Sequence, residues 1–182
     1  MSAPSFVMTS FTFKPDGHVP NSPLPVVVYK NAIDFTTTNL EEAKSAIGKL
    51  ARRHGWYLDW AEADAVFQKT HYHSTAHEVL IVFDGIAKIK LGGKYGSSQC
   101  LQKGDMIFIP AGVGHMRICS HENFTVLGLY PNGQKWDLQW AGKSNYHSSL
   151  RRIRKVPFPK VDPIIGKTLP KQENLSLVGY GA

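Results

Sequence analysis

Residues 71–85 read HYHSTAHEVLIVFDG, three histidines and a glutamate placed directly before a run of apolar residues. His71, His73, His77 and Glu78 fall within eight positions of one another. Titratable side chains beside a future core cost free energy unless something pairs with them. A metal ion is one such partner, so the stretch predicts both a buried strand and a metal site.

The apolar part of this stretch predicts a strand that is buried on both faces. Side chains alternate along a strand, so Leu80 and Val82 share one face, whereas Val79, Ile81 and Phe83 share the other. A strand with two apolar faces must be covered on both. We expect the interior of a barrel on one side. The N-terminal arm and helix, or a second subunit in a homodimer, would cover the other.

Short runs rich in Val, Ile, Phe, Tyr and Thr alternate with glycine-containing turns between residues 56 and 131. Closely spaced short strands of this kind are typical of a β-sandwich or barrel. No helical pattern interrupts them, so we expect an all-β fold rather than a parallel sheet of βαβ units. The predicted strands lie near 56–60, 66–73, 78–83, 86–91, 97–101, 106–109, 115–119 and 124–130.

The segments on either side of the predicted barrel (56–131) are expected to pack on it within a single domain. Residues 1–55 would form an arm, a strand at LPVVVYK (24–30) and the only expected helix. Asn39 would cap that helix, with Glu42 closing a capping box. Residues 132–182 contain prolines at 157, 159, 163 and 170, which predict an irregular tail that wraps the barrel.

The composition is that of a globular protein. Hydrophobic residues make up 42% and charged residues 19% of the chain, as in ordinary folded domains. No run of about 18 apolar residues predicts a membrane span. The N-terminus does not resemble a secretory signal, and the two cysteines, Cys100 and Cys119, fit a reduced protein. We therefore expect a cytoplasmic location.

The net charge of +7 raises the question of nucleic acid as a partner. The basic residues are scattered, apart from ARRHG at 51–55 and RRIRK at 151–155, and no nucleic-acid-binding motif accompanies them. Solvated Lys and Arg that keep the protein soluble explain this pattern. We expect neither nucleic acid nor a membrane as a partner.

Three segments supply the candidate metal ligands. His71 and His73 are two residues apart, so they share a face of an extended strand. Glu78 is out of phase with them, and a bend or bulge at STA (74–76) would bring it back to the same side. The segment GDMIFIPAGVGH (104–115) delivers His115. This nitrogen and oxygen donor set suits one divalent transition metal, namely Fe, Mn, Ni, Zn or Cu.

The spacing of these residues resembles the two characteristic motifs of the cupin family. The first motif is His-x-His, four residues, Glu, six residues and Gly, which matches His71, His73, Glu78 and Gly85. The second is Gly, five residues, Pro, x, Gly, two residues and His, which matches Gly104, Pro110, Gly112 and His115. The family motif usually continues to an Asn, where this chain has Cys119.

The order of segments is similar to that of the YjlB-type cupins, from LPVVVYK (24–30) to VPFPKVDPIIG (156–166). The resemblance implies a double-stranded β-helix, or jelly roll, with a metal inside the barrel mouth. The implied metal ligands are His71, His73, Glu78 and His115.

Several neighbouring residues allow more than one interpretation. His77 adjoins Glu78 and should point away from the site as a hydrogen-bonding neighbour; if Glu78 turned away, His73 and His77 would pair instead. Arg117 would meet an anionic substrate or pair with a carboxylate at the rim. Tyr72 should face outward, and Cys119 should be a small buried hydrophobe. The four tryptophans are interpreted as packing residues: Trp56, Trp60, Trp136 and Trp140.

The first functional hypothesis is a metal-dependent enzyme acting on a small organic molecule. Among the possible reactions, we favour that of a dioxygenase, and after it that of an isomerase or a lyase. The alternative is a non-catalytic cupin module that binds a small molecule.

Overall fold

The computed structural model describes residues 6–142 and 145–171. Within these ranges the elements are, in chain order, β1 Val7–Phe11, β2 Val26–Lys30, α1 Leu40–Arg53, β3 Trp56–Ala63, β4 His71–Tyr72, β5 Glu78–Leu91, a 3-10 turn Gly93–Tyr95, β6 Ser97–Gln102, β7 Met106–Ile109, β8 His115–Pro131, β9 Gln139–Trp140 and α2 Tyr146–Ile153. Neither helix of this described part has the length and apolar character that crossing a membrane requires.

The nine strands form one antiparallel sheet that curls into the all-β jelly roll predicted from the sequence. The strand order is β1-β2-β7-β5-β8-β4-β9, with β3 pairing with β8 and β6 pairing with β5. The two longest strands, β5 and β8, pair with each other from Val79 opposite Leu129 to Leu91 opposite His115. This long pairing brings the start of β8 beside the other site-bearing segment, β4, where His71 lies opposite His115.

Strands β5 and β8 correct the prediction of two shorter strands in each of these places. The chain bends at Gly85 (φ 72°) and at Glu122 and Asn123 (φ 60° and 53°), but both strands continue beyond the bend. A Cβ atom at Gly85 would lie 2.5 Å from the carbonyl oxygen of Glu122. Glycine therefore permits a close crossing of two continuous strands where a turn was expected.

The two faces of β5 bury their side chains in different clusters, as its double apolar pattern predicts. Val79 and Ile81 pack in a cluster that includes Ile47 and Ala51 of α1. Leu80 and Val82 pack in the barrel interior, in a second cluster. The chain's own helix therefore covers the outer face of the strand.

The predicted strand at 66–73 is largely a loop, and only His71–Tyr72 is a strand. The backbone carbonyls in this stretch accept isolated hydrogen bonds from different segments and do not form the ladder of a paired strand. The carbonyl of Phe67 accepts from the backbone N–H of Arg117 (2.9 Å), and that of Thr70 accepts from the N–H of Ala141 (3.0 Å). Residues 66–70 thus form a rim beside the pocket.

The helix α1 begins after Asn39 as predicted, but the predicted capping box is wrong in its second half. The side-chain oxygen of Asn39 accepts from the N–H groups of Glu41 (2.9 Å) and Glu42 (3.2 Å). The N–H of Asn39 donates to the hydroxyl of Thr37, which in turn donates to the carboxylate of Glu42. Thr37 therefore stands between the two groups that a capping box would join directly.

The prediction of a single helix and an irregular tail is also corrected. Helix α2 lies within the tail and ends before the first of its prolines, Pro157. Its N-cap residue is Asn145, a residue type that marks helix starts, but the Asn145 side chain makes no capping hydrogen bond and the helix has only eight residues. The prediction for 172–182 lies outside the described residues, and the boundaries 1–55, 56–131 and 132–182 stay a prediction.

Cys119 is exposed, so its interpretation as a buried hydrophobe is wrong. It lies opposite Lys88 on a stretch of β8 where Ile118 is exposed as well. Lys88 is exposed too, whereas Ala87 and Ile89 on either side of it are buried in the second cluster. Cys119 therefore lies on the outward face of the β5–β8 pairing. Cys100 is also exposed, and both cysteines are free.

Candidate metal centre

Three histidines from two neighbouring strands converge at one point. His71 lies on β4 opposite His115, the first residue of β8, and His73 follows β4 directly. All three side chains are buried, and one ligand atom from each lies within 4.8 Å of the others. These nitrogens are close enough for the three histidines to hold one metal ion.

The hydrogen bonds of the Nδ1 atoms determine which nitrogen of each ring faces the centre. Nδ1 of His71 lies 3.1 Å from the carbonyl of Lys69, and Nδ1 of His115 lies 3.1 Å from the carbonyl of Val113. Nδ1 of His73 lies 2.6 Å from the carbonyl of Asp137. A carbonyl only accepts, so each Nδ1 carries the proton, and the neutral ring presents the lone pair of Nε2. This is the orientation that metal-binding histidines take.

Glu78 brings a carboxylate oxygen to the same point. Its Oε2 lies 3.5 Å from Nε2 of His73 and 3.2 Å from Nε2 of His115. The other oxygen, Oε1, accepts from the hydroxyl of Tyr130 at 2.6 Å. Among the described residues, Oε2 has no partner with hydrogen-bond geometry. Buried acceptor atoms that face one another repel unless a cation lies between them, so this donor set fits a metal ion.

The pKa values of the cluster show the same mutual dependence. Burial lowers the pKa of His71 to about 2, and the neighbouring His115 adds to this effect. Burial alone would raise the pKa of Glu78, but His73 and His115 hold it well below its usual value. Burial would likewise lower the pKa of His73, but the charge of Glu78 outweighs it and raises that pKa. A divalent cation would take the place of a proton on Nε2 of His73 beside the ionised Glu78, because metal ligands must be deprotonated.

A bend at Ser74 and Thr75 brings Glu78 into phase with the histidines, at the STA stretch where the sequence predicts it. The carboxylate of Asp137 accepts from the N–H and hydroxyl of Ser74, both at 2.6 Å. It also accepts from the N–H of Thr75 at 3.2 Å and its hydroxyl at 3.1 Å. Asp137 therefore stabilises the bend with its side chain and orients His73 with its carbonyl. Sequence reasoning missed this residue, which lies far along the chain in the tail.

His77 points away from this cluster, on the side predicted from its parity. Its Nδ1 accepts from the N–H of Ala111 at 3.0 Å. Its ring lies 5.6 Å from Phe108 and 5.9 Å from Phe158, centroid to centroid. The alternative in which His73 and His77 pair is therefore not the arrangement found.

The cluster forms the buried floor of a pocket of about 240 Å³. Its walls are largely aromatic and aliphatic, and its exposed lining residues define the mouth. The lining consists of Asp59, Trp60, Glu62, Ala65, Val66, Phe67, His71, His73, Glu78, Leu80, His115, Tyr130 and Trp136.

Comparisons with known proteins agree with the fold. A family model described as "Cupin" matches residues 62–154. The chain is 39% identical over 165 residues to the uncharacterized protein YjlB of Bacillus subtilis strain 168, over 90% of this chain and 94% of that protein. The chain belongs to the cupin family.

Solved structures similar to this cupin align only in part. The WlaRB TDP-quinovose 3,4-ketoisomerase from Campylobacter jejuni gives a TM-score of 0.38 at 19% identity, over 53% of this chain and 72% of that one. Oxalate decarboxylase from Bacillus subtilis gives a TM-score of 0.34 at 12% identity, over 64% of this chain. Procruciferin, an 11S globulin from Brassica napus, gives 0.36 at 14%, over 65% of this chain. The cupin spans only 23% of the oxalate decarboxylase and procruciferin chains, and these scores carry no information about its activity.

Arg117 of this cupin is bound at the rim, which decides between the two roles left open by the sequence. Its guanidinium lies 3.2 Å from the carboxylate of Asp64 and donates to the hydroxyl of Ser120 (2.7 Å) and the carbonyl of Val66 (3.2 Å). Arg117 does not line the pocket. It therefore stabilises the rim loop.

The four tryptophans take different places. Trp56 is fully buried in the outer core, as expected of a packing residue. Trp60 and Trp136 line the pocket, so their interpretation as packing residues is incomplete. Trp140 lies beside the pocket, 6.0 Å from the ring of His71.

Tyr72 faces away from the pocket, as expected, but helix α2 covers it. Its hydroxyl donates to the hydroxyl of Ser149 at 3.0 Å. The helix that the sequence did not predict therefore packs behind the strand that carries His71.

Proposed function

We propose that this cupin is a metal-dependent enzyme that oxidises a small organic molecule with O₂, in the manner of a dioxygenase. His71, His73, Glu78 and His115 would ligate the metal. Bound iron, manganese or copper would supply Lewis acidity and one-electron chemistry towards O₂. The observation that carries the proposal is the convergence of three Nε2 atoms and Glu78 Oε2 at the floor of an open pocket.

The acid–base groups of the pocket favour oxygenation over isomerase or lyase chemistry. Isomerases and lyases need a positioned acid or base at the reacting carbon. Among the described ionisable groups that line the pocket, the four proposed ligands and Tyr130 lie on the floor, whereas the exposed Asp59 and Glu62 lie at the mouth. Tyr130 donates to Glu78, and burial and the Glu78 charge raise its pKa, so it keeps its proton. Dioxygenation needs no such base: both atoms of O₂ enter the product, and no external reductant is consumed.

Tyr130 and the pocket walls would have supporting roles. The hydroxyl of Tyr130 engages Glu78 Oε1 and leaves Oε2 directed at the cluster. The apolar walls would lower the local dielectric constant around the buried floor, which strengthens electrostatic interactions there. A volume of about 240 Å³ lies below the range of about 300–1,000 Å³ of drug-sized ligand sites, so the substrate would be small.

Elemental analysis and oxygen consumption together test the proposal. We expect stoichiometric Fe, Mn or Cu in purified protein, and O₂ uptake when a library of small carbonyl and aromatic compounds is screened. With ¹⁸O₂, both labelled atoms should appear in the product. The variant His73→Ala/His115→Ala is the matched control and should consume no O₂.

Two other results would contradict the dioxygenase assignment. Zn or Ni in the protein, with turnover that consumes no O₂, would favour an isomerase or lyase. Tight binding of a compound without turnover of any candidate would favour the non-catalytic binding module.

The expected partners are also part of the proposal. We propose a small-molecule substrate, no nucleic-acid or membrane partner, a cytoplasmic location, and a homodimer as the assembly to be tested. Analytical ultracentrifugation of the full chain checks the last point, and a monomer at all concentrations would contradict it.

A further inference from the structure

The mouth of the pocket combines two carboxylates with two aromatic rings. The four exposed lining residues are Asp59, Glu62, Phe67 and Trp136, which we call the acidic-aromatic mouth. No Lys or Arg is among the described residues that line the pocket. The whole chain carries 21 Lys and Arg against 14 Asp and Glu, so the charge of the mouth is opposite to that of the protein.

The mouth carboxylates are not neutralised by neighbouring cations. Asp59 accepts from Nε1 of Trp136 at 2.8 Å, which leaves its negative charge in place. Within 6–142 and 145–171, neither Asp59 nor Glu62 forms an ion pair. The cations near the rim are placed elsewhere, since Lys69 lies over the ring of Trp140 and Arg117 pairs with Asp64.

The aromatic rings are held in place around the floor. Trp136 stacks on Tyr130 at 5.9 Å between centroids and 18° between planes. Phe67 meets the ring of His71 edge-on at 5.0 Å. Trp60 donates from Nε1 to the hydroxyl of Tyr130 at 3.1 Å, and a Cβ atom on Gly128 would collide with its indole. Fixed aromatic faces attract organic cations, most strongly where water is excluded.

The floor and the mouth therefore differ in the charge that they attract. Glu78 Oε2 is buried, lines the pocket and has no hydrogen-bond partner among the described residues. A divalent ion held there would outweigh the single carboxylate and attract an anionic group. The mouth, with two carboxylates and fixed aromatic rings, attracts a cation.

We propose that the ligand of this pocket is a short zwitterion, with a carboxylate at one end and a quaternary ammonium or sulfonium group at the other. This inference rests on the proposed function, because the metal on the floor takes the carboxylate. The onium group lies against Trp136 and Phe67, with Asp59 and Glu62 as its counter-charges. An onium group suits this place better than a primary ammonium because it gives up its hydration more easily.

An isosteric pair of compounds tests the charge preference directly. The probes are 3-(trimethylammonio)propanoate and 4,4-dimethylpentanoate, which keeps the carboxylate but has an uncharged carbon in place of the ammonium nitrogen. Both are titrated calorimetrically into metal-loaded protein. We expect the ammonium compound to bind about tenfold more tightly, a difference of about 1.4 kcal/mol, because both the aromatic rings and the two carboxylates of the mouth favour a positive charge. Glutarate, which places a second carboxylate in the mouth, should bind more weakly than both.

Two variants that each lose two negative charges test whether the mouth carboxylates cause the preference for the ammonium compound. Asp59→Asn/Glu62→Gln keeps an acceptor for Trp136 and should reduce the preference for the ammonium compound to about threefold, without changing the affinity of 4,4-dimethylpentanoate. Asp84→Asn/Glu122→Gln removes two exposed carboxylates outside the pocket lining and should leave the preference unchanged. Equal loss in both variants would overturn the assignment, because it would reflect net charge alone.

Comparison with chelator-treated protein separates this inference from the proposed function. Equal affinity for the two compounds, both requiring metal, overturns the onium site and leaves the metal-anchored function standing. A cation preference that persists without metal supports the onium site and counts against the metal-anchored function. Failure of both compounds to bind to metal-loaded protein overturns the inference.

Discussion

His73 and His77 lie four residues apart and are both buried, yet they present opposite nitrogens to their surroundings. Nδ1 of His73 faces the carbonyl of Asp137, so it carries the proton and leaves Nε2 free to bind a metal. Nδ1 of His77 accepts from the N–H of Ala111, so the proton is on Nε2. The partner of Nδ1, rather than burial or closeness to Glu78, distinguishes the ligand candidate from the structural histidine.

The surroundings of His77 favour a neutral ring. Burial lowers its pKa to about 4, against an opposing effect of the Pro157 carbonyl. Among the described residues, its Nε2 has no partner with hydrogen-bond geometry, and the neighbouring rings of Phe108 and Phe158 are apolar. His77 therefore belongs to the outer core, although it adjoins Glu78 in sequence.

Each of the two histidines forms a hydrogen bond with a different residue of the tail. Asp137 contacts His73 and the bend that follows it. Gln134 accepts from the N–H of His77 at 2.9 Å and donates to the carbonyl of Pro157 at 2.7 Å. Changes at the histidines and at these two partners therefore test whether the two environments are separate.

The largest effect is expected on metal content in His73→Ala/His115→Ala. Removing two of the proposed ligands should weaken metal binding by more than about 100-fold, because even the loss of a residue that orients a ligand costs about 10–100-fold. Elemental analysis of purified protein should then find only background metal. The exposed His121 provides the control, and His121→Ala should keep stoichiometric metal. Metal retained equally in the double variant would contradict the proposed site.

The next effect is a loss of stability in His77→Ala with metal content unchanged. The change leaves a cavity beside Phe108 and an unpaired N–H at Ala111, so we expect the free energy of unfolding to fall by about 2–4 kcal/mol. Urea unfolding of the metal-loaded protein measures this. Loss of metal from a variant that is still folded would show that His77 is a ligand and would remove the distinction drawn above.

Much of the fold and of the candidate site could be predicted because local patterns determine them. The alternation in 78–83 predicts a strand with two buried faces, and Asn39 marks the start of α1. The spacing of the histidines and the bend at STA predict that His71, His73, Glu78 and His115 approach one another, which the structure shows.

The features that could not be predicted depend on contacts between distant segments. The continuity of β5 past Gly85 depends on how closely β8 crosses it, which a turn-like sequence does not reveal. The roles of Tyr130 and Asp137 depend on partners 52 and 63 residues away, at Glu78 and Ser74. The proton position on His77 likewise depends on Ala111, which another loop supplies.

A smaller effect on the metal is expected for Asp137→Asn. The amide nitrogen of asparagine is a donor and would face donors of Ser74 and Thr75, so the bend that positions His73 and Glu78 should loosen. We expect metal affinity to fall about tenfold, at the lower end of the range for residues that orient ligands. Competition with a chromogenic chelator measures this, with Asp84→Asn as the control. An affinity equal to that of the wild type would show that the carbonyl of Asp137 alone positions His73.

The smallest effect is expected for Gln134→Ala, which tests the His77 side of the comparison. The N–H of His77 and the carbonyl of Pro157 both lose their partner, so the free energy of unfolding should fall by about 1 kcal/mol. Metal affinity should not change, because neither group touches the cluster. Asn132→Ala, at an exposed neighbouring position, should alter neither quantity. If Gln134→Ala weakened metal binding as much as Asp137→Asn does, the tail would act on both histidines as one unit, and the partner of Nδ1 would no longer be enough to separate them.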